Sequence, residues 1–86
     1  MAKQYKRKNQ FGTFYYKDPE MKIRHRTDGP AVIGSNGDKM WYVNGARHRL
    51  DGPAAEYFIS GDNLWYVNGE YIFETDKRGK MYRLID

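Results

Sequence analysis

The chain carries one stretch of sequence twice, and that repetition constrains its fold more than any other feature. His25-Arg26-Thr27-Asp28-Gly29-Pro30-Ala31 returns as His48-Arg49-Leu50-Asp51-Gly52-Pro53-Ala54, 23 residues later, with six of the seven positions identical. Gly37-Asp38-Lys39-Met40-Trp41-Tyr42-Val43-Asn44-Gly45 returns as Gly61-Asp62-Asn63-Leu64-Trp65-Tyr66-Val67-Asn68-Gly69, 24 residues later, so the second unit has one extra residue between its Ala and its Gly. A unit of this length is a single supersecondary element that cannot bury its apolar side alone and must stack on its neighbour. Full repeats span about 25–47 and 48–71. Gly12-Thr13-Phe14-Tyr15-Tyr16-Lys17-Asp18-Pro19 upstream and Gly79-Lys80-Met81-Tyr82 downstream are degenerate copies, as expected of caps.

The residues inside each unit predict antiparallel strands joined by tight turns. Asn44-Gly45 and Asn68-Gly69 follow β-branched and aromatic runs and tolerate positive φ, which makes them hairpin signals. Asp28-Gly29-Pro30 and Asp51-Gly52-Pro53 read as further turns, with Asp accepting from nearby backbone, Gly supplying unusual dihedrals and Pro withholding a ladder donor. Strands are expected near 11–17, 31–34, 39–43, 54–59, 63–67, 70–74 and 80–84. No helix-length segment shows a 3.6 period with a cap. The expected fold is an all-β antiparallel hairpin meander, a single small domain over 11–86 preceded by a basic arm over 1–10.

Composition agrees with a small domain that lacks covalent staples. The 86 residues are 40% hydrophobic and 30% charged, too apolar for a disordered tail and too polar for a membrane span. There is no Cys, which excludes a disulfide framework, a zinc ribbon and a thiol nucleophile and leaves aromatic packing or self-association to supply stability. Residues 1–26 hold eight Lys/Arg against Asp18 and Glu20, whereas residues 27–73 hold Lys39, Arg47 and Arg49 against six acids. Such a basic arm on a mildly acidic body steers toward nucleic acid or an acidic protein surface. The basic start is not followed by an apolar h-region, so no secretory signal is read and the expected location is cytoplasmic.

Trp41-Tyr42-Val43-Asn44-Gly45-Ala46-Arg47-His48 with Asp51-Gly52 following resembles the MORN repeat and its MORN-like relatives, across residues 12–82. The Trp-Tyr-x-Asn-Gly-x-x-His-Arg-x-Asp-Gly-Pro-Ala wording is similar to repeats of bacteriophage and large-virus proteins. Arg26 and Arg49 stand where MORN units usually have Gly, and Ile72 stands where the next His would be, so the array ends there. The resemblance implies a β-hairpin scaffold for protein contacts without catalysis. It also implies a small phage-encoded effector that binds and inhibits a host enzyme or defence factor, working in the host cytoplasm.

Strand alternation sorts the candidate binding residues. Met40 and Tyr42 should point to one side of strand 39–43 and Trp41 and Val43 to the other, and Leu64/Tyr66 against Trp65/Val67 repeats this. Both sides are then apolar, which points to a partner or a homodimer on Trp41, Tyr42, Trp65 and Tyr66, with Tyr15 and Tyr82 completing the Trp row. His25, Asp28, Gly29, His48, Asp51 and Gly52 are expected to be structural, with His and Asp tying consecutive hairpins through side-chain-to-backbone hydrogen bonds. Arg26 and Arg49 should pair with Asp28 and Asp51. Two His without Cys do not fill a zinc sphere, so no metal and no cofactor are expected. Lys3, Lys6, Arg7 and Lys8, mixed with Tyr5 and Phe11, supply electrostatic steering and the alternative reading, RNA or single-stranded DNA binding. A minimal ribonuclease on His25 and His48 is the third reading. No Walker loop, nucleophile elbow or carboxylate pair is present, and the chain is expected not to be an enzyme.

Overall fold

Asn44 (φ 52°) and Gly45 (φ 83°) both adopt positive φ, as do Asn68 (51°) and Gly69 (83°), the demand of a two-residue hairpin turn whose twist matches its strands. A computed structural model describes residues 4–83 and places ten strands there. They are β1 (Tyr5–Asn9), β2 (Gly12–Tyr16), β3 (Val32–Gly34), β4 (Lys39–Met40), β5 (Tyr42–Val43), β6 (Ala46–Arg47), β7 (Ala55–Glu56), β8 (Asn63–Val67), β9 (Glu70–Thr75) and β10 (Met81–Tyr82). Eight form one antiparallel sheet in the order β1-β2-β3-β4-β7-β8-β9-β10, and β5 and β6 pair separately. The described residues are all-β, and no helix among them is long and apolar enough to cross a membrane.

Three local expectations need correction. The segment expected as an arm contains β1, which pairs along its whole length with β2, from Tyr5↔Tyr16 to Asn9↔Gly12. The expected strand 39–43 divides at Trp41. Lys39 and Met40 pair with β3 and β7, whereas Tyr42 and Val43 pair with their own hairpin partner, Tyr42↔Arg47 and Val43↔Ala46. The expected strand 54–59 shrinks to β7 because a turn begins at Tyr57, where the Gly61 N–H donates to the Tyr57 carbonyl at 2.9 Å.

The core is narrow. Ala31, Ala54 and Ala55 are fully buried, Tyr16 and Val32 nearly so, and among the described residues no large side chain is fully buried. The register explains the alanines at 31 and 54. Extending the pairs Phe14↔Val32, Val32↔Met40, Met40↔Ala55 and Ala55↔Leu64 by one residue gives a row across the sheet: Lys6, Tyr15, Ala31, Trp41, Ala54, Trp65, Phe73. Backbone bonds tie it, Tyr15 N–H to the Ala31 carbonyl at 2.8 Å and Trp41 N–H to the Ala54 carbonyl at 2.7 Å. Each Ala separates two large rings, so the Asp-Gly-Pro-Ala motif ends on the small residue that neighbouring aromatics require.

Candidate functional site

Two series of aromatic side chains run across the repeats, and each is interleaved with arginine. The first is the row of Tyr15, Trp41 and Trp65. The Arg26 guanidinium carbon lies 4.0 Å from the centroid of the Tyr15 ring, and that of Arg49 lies 3.8 Å from the Trp41 ring. Each cation sits in a cradle built by its own Asp-Gly-Pro turn. Arg26 Nε donates to Asp28 at 2.9 Å and its Nη1 to the Pro30 carbonyl at 3.1 Å; Arg49 Nε donates to Asp51 at 3.0 Å and its Nη1 to the Pro53 carbonyl at 3.0 Å. Arg49 reaches Glu56 as well, at 3.2 Å.

Glycine is needed in these turns for space. A Cβ on Gly29 would lie 3.1 Å from the Arg26 guanidinium carbon, and one on Gly52 would lie 2.9 Å from that of Arg49. Neither glycine has positive φ, so the expected role of unusual dihedrals is replaced by close approach. The Arg–Asp pairing read from the sequence is present in both units, and Asp28 and Asp51 use their carboxylates on the arginine side chain. Hydrogen bonding from Arg26, then from Gln4, holds the Asp28 carboxyl below its ordinary pKa. Between the two turns a groove of about 570 Å³ is lined by Arg26, Asp28, Trp41, His48, Arg49 and the exposed Leu50.

In the third position no cation among the described residues lies over the ring. Phe73 stacks on Trp65 with ring centroids 4.5 Å apart and planes 14° apart. Tyr82 does not extend this row. It pairs with Glu74, which pairs with Leu64, so alternation sends it to the side opposite Trp65, where its hydroxyl lies 3.3 Å from Asp76.

The second series flanks the first: Phe14, one residue before Tyr15, and Tyr42 and Tyr66, one residue after Trp41 and Trp65. The Arg24 guanidinium carbon is 5.6 Å from the Phe14 ring and 5.7 Å from the Tyr42 ring, and that of Arg47 is 5.3 Å from the Tyr66 ring. Arg47 Nε donates to the Tyr42 hydroxyl at 3.3 Å. Burial works against the Arg47 charge, but hydrogen bonding to Tyr42 and attraction from Tyr42 and Tyr57 outweigh it and raise its pKa. At the end of the series Tyr71 replaces the cation, edge-on to Tyr66 at 5.8 Å. Desolvation, then its hydrogen bond to Glu74 at 2.8 Å, pushes the Tyr71 hydroxyl up to about 12. Sequence reading did not single out Arg24, Phe14, Tyr71 or Phe73. The signal was available: Arg24-His25-Arg26 and Arg47-His48-Arg49 repeat at 23 residues, one position beyond the motif as read.

His25 and His48 fasten hairpin tips. Nδ1 of His25 accepts the Asn44 backbone N–H at 2.9 Å, and Nδ1 of His48 accepts that of Asn68 at 2.9 Å. A ring nitrogen that accepts in this way leaves Nε2 as the N–H of the imidazole. In the third unit Tyr66 faces Tyr71 and Trp65 faces Phe73, leaving Ile72, the His equivalent, as an unpaired bulge residue. A bulge there turns residues two apart toward opposite sides, which is how Tyr71 and Phe73 serve different series.

Lys6, Arg7 and Lys8 lie on β1, with Lys6 Nζ 5.9 Å from the Tyr15 centroid, and Lys3 lies outside the described residues. Among the described residues no group of three or more His, Asp or Glu side chains could hold a metal ion. No known protein family, curated protein or solved structure matches the chain.

Proposed function

We propose that this chain is a non-enzymatic protein-binding module. What supports this reading is the half-exposed state of its aromatics: among the described residues no large side chain is fully buried, and Phe11, Leu50, Phe58 and Ile59 are largely solvent-exposed. Surfaces with this much apolar and aromatic area outside a core are the material of protein interfaces. His25 and His48 each spend Nδ1 on a different hairpin tip, which gives them a structural task and leaves the ribonuclease reading without a supporting contact.

The partner surface centres on Tyr42 and Tyr66. Tyr15 and Trp41 lie 4.0 and 3.8 Å beneath arginines already paired with carboxylates, and Trp65 lies under Phe73, so these three act mainly as the floor of the sheet, whereas the arginines over Tyr42 and Tyr66 stand farther off, at 5.7 and 5.3 Å. The repeat arrangement and its MORN-like wording point further, to a phage-encoded effector that inhibits a host protein in the cytoplasm. Capture on the tagged full chain from a bacterial lysate, with and without nuclease, tests the reading. A stoichiometric protein retained after nuclease treatment is expected; material lost with nuclease replaces the proposal with nucleic-acid binding.

A further inference from the structure

The arginines of the two aromatic series differ in what neutralises them. Arg26 and Arg49 each hold a carboxylate within 3.0 Å, whereas among the described residues no carboxylate lies within salt-bridge distance of Arg24 or Arg47. These two occupy equivalent positions in successive repeats, so the Phe14–Arg24–Tyr42–Arg47–Tyr66 series is a line of rings with unneutralised cations over them. At its first end Lys22 and Arg24 line a recess of about 240 Å³ with Tyr16 and Tyr42. The nearby Asp18 carboxylate is engaged by the backbone N–H groups of Lys22 and Ile23 at 2.9 to 3.1 Å. Arg7 stands opposite Phe14 on β1 and adds a third cation to that end.

Resting on the protein-binding reading, we infer that the Arg24–Tyr42–Arg47 series is the contact surface for an acidic segment of a partner protein, with the two guanidinium groups taking its carboxylates. Guanidinium N–H groups match a carboxylate with two parallel hydrogen bonds. The Arg24 side chain is held by rings, which orient it without consuming its donors, whereas Arg47 spends Nε on the Tyr42 hydroxyl at 3.3 Å and Nη2 on the Met40 sulfur at 3.8 Å and offers its Nη1 end. The same geometry disfavours single-stranded nucleic acid, which binds by stacking bases on open aromatic faces, because the rings of Phe14, Tyr42 and Tyr66 already have guanidinium groups over them.

The test is direct binding of a fluorescent glutamate-rich peptide to the full chain at low ionic strength, with the glutamine version of the peptide and a labelled single-stranded oligonucleotide alongside. Arg24→Gln with Arg47→Gln should weaken the glutamate peptide about tenfold or more, the scale of losing two charge-assisted contacts. Lys77→Gln with Arg78→Gln, the same change of charge on a distant turn, should leave affinity within about twofold. Near-ultraviolet circular dichroism reports whether each variant is folded. Should the double variant unfold, Arg24→Gln alone carries the test, since Arg24 is exposed and among the described residues its side chain makes only ring contacts, its backbone bonds to Gly45 and Tyr16 being untouched by the change. Equal loss in both double variants, no loss in either, or tighter binding of the oligonucleotide than of the peptide overturns the inference. A stoichiometric protein captured from lysate whose binding is unmoved by the Arg24 and Arg47 changes would sink this surface while leaving the protein-binding reading in place.

Discussion

The first two aromatic positions of the Tyr15–Trp41–Trp65 row are closed by arginine and the last by phenylalanine, and the difference shows what each kind of lid demands of the chain around it. A guanidinium on a ring still has N–H groups to satisfy, so Arg26 and Arg49 come with an Asp two residues on, a Pro carbonyl four residues on and a Gly without a Cβ above them. Phe73 needs none of these. Thr75 stands where the Asp would be, no Gly-Pro follows, and the chain continues straight through β9 to pair with β10. The turn motif and the cationic lid are thus one device, and where the lid becomes hydrocarbon the turn disappears with it.

The largest break in this comparison should come from removing the floor. Trp41→Ala deletes the ring beneath Arg49 and should cost about 3 kcal/mol, read as a shift in the urea midpoint. Exchanging lids comes next: Phe73→Arg places a cation on Trp65 without a cradle and should destabilise by about 2 kcal/mol, and a neutral result would show that the Asp-Gly-Pro turn is not what an arginine lid requires. Gly52→Ala pushes a methyl toward the Arg49 guanidinium and should cost about 1 kcal/mol, with Gly29→Ala slightly milder in the same thermal melts because its clearance is larger, 3.1 Å against 2.9 Å.

The hairpin fastening divides the units in the same way. His48→Ala removes the acceptor of the Asn68 N–H and should lose about 1 kcal/mol, whereas Ile72→His, with no following Asn-Gly tip to hold, should stay within about 0.5 kcal/mol. The smallest effect is in acid. The folded Asp28 carboxyl titrates below 3.8, so its contribution is present above that value and is lost as the pH falls from about 3.8 through the lowered folded value. Asp28→Asn should flatten that part of the stability profile against pH; an unchanged profile would show that its pairing with Arg26 adds nothing to the fold.

Most strands were legible because Asn-Gly turns and the repeat spacing bracket them: β2, β3, β8 and β9 fall within a residue or two of where the sequence places them. Tyr5–Asn9 was not, because Tyr-Lys-Arg-Lys-Asn has no apolar alternation and its strand state comes from pairing with β2. A turn signal was nonetheless there, Asn9 accepting the Phe11 N–H at 2.8 Å and Gly12 at φ 140°. The division at Trp41 was hidden because Lys39-Met40-Trp41-Tyr42-Val43 alternates as one strand would; only tertiary pairing assigns its two halves to different neighbours. Of the candidate site, the aromatic positions could be read from the repeat, but their coverage could not. In the third unit, which ring Phe73 meets and which ring Tyr71 meets depends on the bulge at Ile72, a backbone feature with no distinctive residue type.

The His-to-hairpin fastening also bears on how the chain reaches this state. Nδ1 of His25 and of His48 each hold a backbone group only 19 or 20 residues ahead, so the bonds that order the array close loops of about one repeat. Loop-closure entropy rises slowly with length and is modest at this size, and each closed loop presents the edge on which the next can form. Contacts this local favour growth of the array unit by unit, so adding further copies of the unit is expected to lengthen the array while leaving the folding rate measured by stopped-flow nearly unchanged.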